Sequence, residues 1–415
     1  LNFVKSRGGG IVYVPPGTYN ITSTLRIPSN TFLVGIGQVV FKRAENINAI
    51  TINDSDGMIG GYDANQNIVV DNIIFDANPS EFPSTNITLL AFGHARNIEI
   101  RNCRFTGNDT NWHDLELNAC KDVLVYRCFF EDYRGSSEIL QLDFMGSAAQ
   151  FPWFGPYDDT ACENITVEKC VFKAVPSATR TKDAIGNHTF KEGVVTKNFR
   201  IKECYFDRFH FAIRHLDVQG LFIEGNRFIN CLFGVFFSER QNDCYDWHMV
   251  GNYFDNSMRD SDDAYDEGRF FMGATQVLSK TFSKIRIKDN FIKDSILHGI
   301  GFTCSSDAII EGNFIEKSGR SGIYLFGGSN ILVQNNIIKE SSRRDTGWAD
   351  IRIGHNSNTQ TIGVTVSGNR CMQIQIGNNI SGVLVTNNSV SGSIEYIGSE
   401  SANVHNNQIA GVWTP

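Results

Sequence analysis

The chain has 415 residues, 41% of them hydrophobic, with 37 basic against 45 acidic side chains and a net charge of -8. That balance argues against a partner held mainly through phosphate neutralisation, so nucleic acid is not an expected ligand. No apolar run approaches the length of a membrane span and no signal peptide is visible, so no membrane partner is expected either.

Residues 8 to 37 open with Gly8-Gly9-Gly10-Ile11-Val12-Tyr13-Val14-Pro15-Pro16-Gly17-Thr18-Tyr19 and continue from Leu25 to Gly37. They read as short alternating strands broken by Gly and Pro, the first coils of a repetitive fold. From residue 67 a nine-residue unit takes over, clearest in Asn97-Ile98-Glu99-Ile100-Arg101-Asn102-Cys103-Arg104-Phe105. It starts again at 97, 122, 164, 198, 220, 246, 284, 307, 330, 363, 382 and 401, thirteen copies spaced 19 to 42 residues apart. Its second and fourth positions are apolar, a period of two that marks a strand. The seventh position carries Cys103, Cys128, Cys170 and Cys204 and then eight asparagines from Asn226 to Asn407; the ninth carries Phe75 through Phe254 and then Ile292, Ile315 and Ile338. One residue type at one repeat position means side chains stacked coil over coil, with the amide ladder satisfying itself by hydrogen bonding.

The expected fold is all-β: a single-stranded right-handed parallel β-helix, a solenoid of about 13 or more coils. One domain is expected over 1–415, with first coils in 1–66, main coils in 67–362 and short C-terminal coils in 363–415. Long loops are expected near 144–163, 174–190 and 256–275, and the first of these concentrates aromatic and acidic residues, Trp153, Tyr157 and Asp158 among them. Loops of that length on a rigid scaffold are where function usually sits. The ladder cysteines read as small buried hydrophobes, not thiolate ligands.

The Gly-rich opening resembles that of pectate-lyase-like right-handed parallel β-helix proteins, phage tailspikes and pre-neck appendages included. Signatures of the galacturonan hydrolases and alginate epimerases are missing, except for an isolated Arg286-Ile287-Lys288. The resemblance therefore implies the phage type: a homotrimeric adsorption appendage or tailspike, on a virion tail or otherwise extracellular, that degrades a bacterial surface polysaccharide or wall teichoic acid. A non-catalytic glycan-binding receptor and a bacterial polysaccharide lyase are the alternatives.

Stacking the strands that follow each repeat puts Glu116, Gln141, Gly186 and Arg214 in one outward column and Asn118, Asp143 and His188 in the next, near His215, Asp217, Glu239 and Arg240. Outward charges on a β-helix are usually a solvated face, but so many beside an aromatic loop make a candidate site. The catalytic candidates are Glu116, Asp143, His188 and His215; the substrate-binding candidates are Gln141, Trp153, Tyr157, Asp158, Arg214, Asp217, Glu239 and Arg240. Strand geometry sets the Cα atoms of Glu116 and Asp143 about 8 Å apart, within the roughly 6.5–9.5 Å of an inverting glycosidase pair. His188 and His215 could instead act across a phosphodiester gripped by Arg214 and Arg240. No cofactor is required by the sequence, although Asp143, His188 and Asp217 could hold a divalent metal. Uronate elimination with Arg214 as base is a third chemistry. From residue 363 onward no chemistry is expected.

Overall fold

The computed structural model describes residues 1–55, 57–175, 181–187, 189–215, 217–239, 241–257, 269–275, 280–344, 347–354, 360–397 and 402–413, without the side chains of 181, 182, 215, 238, 239, 274, 275 and 304. The chain divides into two compact units, Leu1–Val218 and Gln219–Pro415. Each is built from short strands stacked in parallel columns, the right-handed parallel β-helix that the repeat implies.

In the first unit, Gly10–Val14 pairs with Thr31–Gly35, which pairs with Asn65–Asp71. The column continues through the second halves of Thr88–Arg101 and Leu115–Tyr126 into Glu163–Glu168 and Thr196–Lys202. The glycine-rich opening therefore supplies true rungs. Ile98, Ile100, Val123, Val125, Ile165 and Val167 are all buried, as the alternation demands. A second column carries the aromatic ladder: Phe75, Phe105, Phe130, Phe172 and Phe206 lie 5.2, 4.7, 4.6 and 5.0 Å apart with nearly parallel rings. Beneath it the Cys103, Cys128, Cys170 and Cys204 thiols are buried and directed at backbone carbonyls.

A feature absent from the sequence reading explains the sharp turn in each coil. The first position of the unit is left-handed at Asn67, Asn97, Asp122, Asn164 and Asn198, with φ between 54° and 57°. The sixth is left-handed as well, at Asn72, Asn102, Arg127, Lys169 and Glu203. Asn and Asp tolerate that region best among residues with a Cβ, and the first-position side chains bond one another, as Asn97 does to Asn67 (3.1 Å) and Asn198 to Asn164 (3.0 Å).

The second unit repeats the scheme with amides in place of thiols. Asn226, Asn252, Asn290, Asn313, Asn336, Asn369, Asn388 and Asn407 form a continuous ladder, each Nδ2 donating to the next Oδ1 at 2.9–3.0 Å. Each Oδ1 also accepts from the preceding rung's backbone N–H, so a buried polar row is satisfied in both directions. Its outer strands, such as Ile300–Glu311 and Ile323–Gln334, pair over their whole length.

Candidate functional site

The third column of the first unit carries the chemistry. Its register pairs Glu116 with Gln141, Gln141 with Gly186 and Gly186 with Arg214, and sets Asn118 beside Asp143. Leu115, Leu117, Leu140, Leu142, Ile185 and Ile213 fill the bore, so the polar partners face away from it. Facing away does not mean facing water here. Glu116 is 4% exposed, Gln141 2% and Asp143 1%.

The cover is the loop from Met145 to Cys162. Its Met145, Phe151 and Phe154 pack on Ala49, Ile52, Ala91 and Ala119, with Trp153 against them. Alanines in three successive rungs make the seat. Gly93 completes it: a Cβ there would lie 2.3 Å from Phe154 Cγ. The loop is pinned from the far side as well. Asp158 accepts the Gly61 amide at 2.8 Å, and Tyr62 donates its hydroxyl to Ala161 O at 2.9 Å. His94, fully buried, meets Gly61 O and Pro156 O with its two ring nitrogens, each at 2.8 Å. Burial opposes ionisation of Asp158, but the Gly61 and Thr160 donors and the nearby His94 outweigh it and hold the carboxyl below its usual range.

Under the loop's edge lies a cavity of about 620 Å³ lined by Trp112, His113, Glu116, Glu138, Gln141 and Trp153, among others. The two tryptophans meet edge to face, 5.8 Å apart at 82°. Glu116 accepts from Thr88 Oγ1 at 2.8 Å and from Asn118 Nδ2 at 3.4 Å. Glu138 accepts from Ser137 Oγ at 2.7 Å, while its backbone carbonyl meets His113 Nδ1 at 2.6 Å. Gly186 gives Glu138 its room, since a Cβ there would approach Glu138 Cγ to 3.1 Å. Across that gap Arg214 reaches Asp183 at 3.2 Å and Glu138 at 3.7 Å. Behind this wall Asp114 is fully buried, and burial, opposed by the Asn108 amide, pushes its carboxyl up to about 8. Burial, reinforced by the charges of Asp114 and Glu138, also raises the Tyr133 phenol, which donates to Trp112 O at 3.0 Å.

Residues 2–236 match the model of the rhamnogalacturonase A/epimerase, pectate-lyase-like family, and residues 270–409 match that of the right-handed β-helix region. The chain belongs to the rhamnogalacturonase A/epimerase, pectate-lyase-like family. Plasmin and fibronectin-binding protein A of Streptococcus pneumoniae is 24% identical over 255 residues, 53% of this chain and 34% of that protein, so the match spans about a third of the relative's length. Among solved structures, the pneumococcal surface protein and adhesin PfbA superposes with a TM-score of 0.53 at 17% identity, covering 97% of this chain and 94% of that one. The catalytic unit of a thermostable alpha-1,3-glucanase from Streptomyces thermodiastaticus gives 0.58 at 14%, covering 89% and 64%. Tailspike protein 3 of bacteriophage CBA120 gives 0.54 at 10%, covering 100% and 58%. At these identities the likeness is one of fold.

In this pectate-lyase-like chain the sequence-derived candidates separate. Glu116, Gln141 and Trp153 line the cavity. Asp143 sits beside it, its carboxylate taken up by Gln141 Nε2 at 2.6 Å and by the Thr189 hydroxyl. Arg214 is an ion-pair partner of Glu138 and Asp183. Tyr157 and Asp158 hold the loop itself, the tyrosine through Phe151 O at 3.2 Å. Asp217 is buried in a left-handed turn, outside the cavity lining. His188 and Arg240, and the side chains of His215 and Glu239, lie outside the described residues. Reading the outward column as an open face needs correction, because the loop roofs it. Sequence stacking passed over Glu138, Asp183, Trp112 and His113. Glu138 shares the parity of Leu140 and Leu142 on its strand, so alternation assigns it to the bore and hides it from the outward column; Trp112 lies in a turn with no repeat position. Among the described residues no group of three His, Cys, Asp or Glu is arranged to hold a metal ion.

Proposed function

We propose that the chain degrades a bacterial cell-surface polymer, a polysaccharide or wall teichoic acid, by acid/base hydrolysis in the cavity of the first unit. The observation that supports this most is the joint presence of Glu116 and Glu138 in one cavity beside the Trp112–Trp153 wall. Tryptophan edges and faces suit sugar rings, and the amide of Gln141 suits hydroxyls. Glu138, with the Arg214 cation beside it, serves as the base that takes a proton from water. Glu116 protonates the leaving oxygen as the bond to it breaks. Ladder spacing puts the Cα atoms of the two glutamates about 11 Å apart. The scheme requires the two side chains to bring their carboxyls to the roughly 6.5–9.5 Å of an inverting pair. Asp143 orients Gln141 in this scheme. The Gly-rich opening favours an adsorption appendage or tailspike, which carries with it an expected homotrimer, checked by light scattering.

The test is to incubate the protein with a panel of bacterial surface polymers, with and without EDTA, and to identify products by mass spectrometry. Oligosaccharides carrying added water, of inverted anomeric configuration by NMR, support the reading. Loss of 10²–10⁴-fold in rate for both Glu116→Gln and Glu138→Gln is the magnitude expected of a general acid and base. An unsaturated end would mean a lyase, and a polyol phosphate released in a histidine-dependent way would mean a phosphodiesterase. A second reading, a receptor module that binds without cutting, draws on the 24% identity to a protein named for binding plasmin and fibronectin. Saturable binding with no product from any polymer would establish it.

A further inference from the structure

The row of left-handed first positions in the first unit contains a break that the repeat does not require. Asn30, Asn67, Asn97, Asp122, Asn164 and Asn198 stand on successive rungs, each with φ between 54° and 58°. Their amides all point the same way along the row. Asn30 Nδ2 donates to Gly8 O at 3.1 Å, which turns its Oδ1 toward the next rung. Asn67 Nδ2 donates to that oxygen at 2.7 Å, and Asn97 Nδ2 donates to Asn67 Oδ1 at 3.1 Å. Further on, Asn164 Nδ2 donates to Asp122 Oδ1 at 2.8 Å and Asn198 Nδ2 to Asn164 Oδ1 at 3.0 Å.

Between Asn97 and Asp122 the run of donors stops. Asp122 takes the place of a donor, yet an ionised carboxylate only accepts. Asn97 Oδ1 and the Asp122 carboxylate therefore stand on neighbouring rungs, about 4.8 Å apart between Cα atoms, and among the described residues no donor lies between them. Turning the Asn97 amide over would only set two oxygens against each other at Asn67, and the direction of the row is anchored at the Gly8 carbonyl, which can only accept. Asparagine at 122 would tolerate the positive φ equally well and would close the ladder, so stability does not ask for the aspartate.

The break opens onto a groove of about 570 Å³ lined by Asn97, Glu99, Asp122, Leu124, Val69 and Phe32, among others. No residue lines both this groove and the cavity under the Met145–Cys162 loop. Val69 and Leu124 flank Glu99 in register, and Phe32, 43% exposed, lies beyond Val69. Glu99 is paired with Arg101 at 3.1 Å, whereas Asp122 has no ion-pair partner among the described residues. The groove thus offers apolar surface beside two acceptors, one of them an uncompensated charge. A single hydroxyl can donate to only one of the two. An ammonium group has three donors and a positive charge, and serves both.

We propose that the break between Asn97 and Asp122 is a subsite for the ammonium group of an amino-sugar residue, whose ring lies over Leu124 and Val69 and whose chain continues toward Phe32. The choice of a glycan as carrier rests on the function proposed above. The ammonium site itself stands on the geometry of the ladder.

The experiment measures binding of the full chain, in a Glu116→Gln background to suppress cleavage, to chitosan hexasaccharide and to cellohexaose by calorimetry at pH 6, at low and at 0.5 M salt. The two sugars share a backbone and differ in carrying an ammonium or a hydroxyl group. At low salt the chitosan hexasaccharide binds at least about tenfold more tightly, and the preference collapses at high salt. Asp122→Asn loses at least about tenfold for the chitosan hexasaccharide and nothing for cellohexaose, while its urea midpoint stays at or above the parent's because the ladder is now closed. Asp132→Asn removes the same charge from another exposed left-handed position of the unit and leaves the affinity within about twofold. Native affinity in Asp122→Asn, or equal losses in the two variants, overturns the subsite; a midpoint below the parent's overturns the ladder break on which it stands. The two proposals fail separately. Asp122-dependent binding with no surface polymer cut leaves the subsite standing and the hydrolase reading refuted, and cleavage of a polymer with chitosan binding unchanged in Asp122→Asn does the reverse.

Discussion

Asp114 offers the sharpest check on the electrostatics of the candidate site. Its carboxyl is fully buried and titrates near 8 in the fold, against 3.8 when exposed. Between those values the folded chain holds a proton that the unfolded chain has lost, so this group's contribution to stability is complete at low pH and falls as pH rises. At pH 7 the gap of about three units corresponds to a ceiling of about 4 kcal/mol. Relaxation around a buried carboxyl leaves roughly half of that. Asp114→Asn keeps the shape of the protonated acid and removes the titration. Urea unfolding of both proteins at pH 4, 5.5, 7 and 8.5 should show a difference near zero at pH 4, growing to about 2 kcal/mol in the variant's favour at pH 7 and levelling above pH 8. Because every other titrating group is shared, the difference isolates this one. Two stability curves that run parallel across the range, or a native chain more stable than the variant at pH 8.5, would refute the argument.

Arg214→Met should lower stability by about 3 kcal/mol, since it strands the buried carboxylates of Glu138 and Asp183; adding Glu138→Gln and Asp183→Asn should recover most of that loss in the same urea assay. Asn313→Ala removes both the donor to Asn336 and the acceptor for the Asn290 amide and backbone N–H. A drop of about 3 kcal/mol is expected, read from the unfolding midpoint. Gly93→Ala drives a methyl into the Phe154 ring. It should loosen the Met145–Cys162 loop at a cost of about 1–3 kcal/mol, seen as faster proteolysis within the loop and, on the proposed function, a loss of activity.

Much of the fold is legible in the chain because a β-helix repeats its local chemistry. Alternation at Ile98 and Ile100 marks the strand, and the asparagines from Asn226 to Asn407 mark one ladder position. Once the rungs are aligned, the pairing of Glu116, Gln141, Gly186 and Arg214 follows by counting, and the structure carries the same register. The left-handed first position was also written there, in the run Asn67, Asn97, Asp122, Asn164 and Asn198, as a preference for residues that tolerate positive φ.

Counting ends where the chain leaves the repeat. Asp158 meets Gly61 across 97 residues and His94 meets Pro156 across 62, contacts that no period predicts. They fold the Met145–Cys162 loop over a column that alternation alone would leave in water, and so turn Glu116 and Gln141 from surface residues into the wall of a cavity. Trp348, from a connecting turn, likewise lies against Arg320 and against Arg352 of the strand Ile351–Ile353, a meeting that no repeat position marks. Which residues share a rung can be read from the chain alone, since neighbouring coils must match in hydrogen bonding and side-chain type. Which of those residues are covered and which charges meet emerges only on folding, because burial depends on loops whose lengths and contacts obey no repeat.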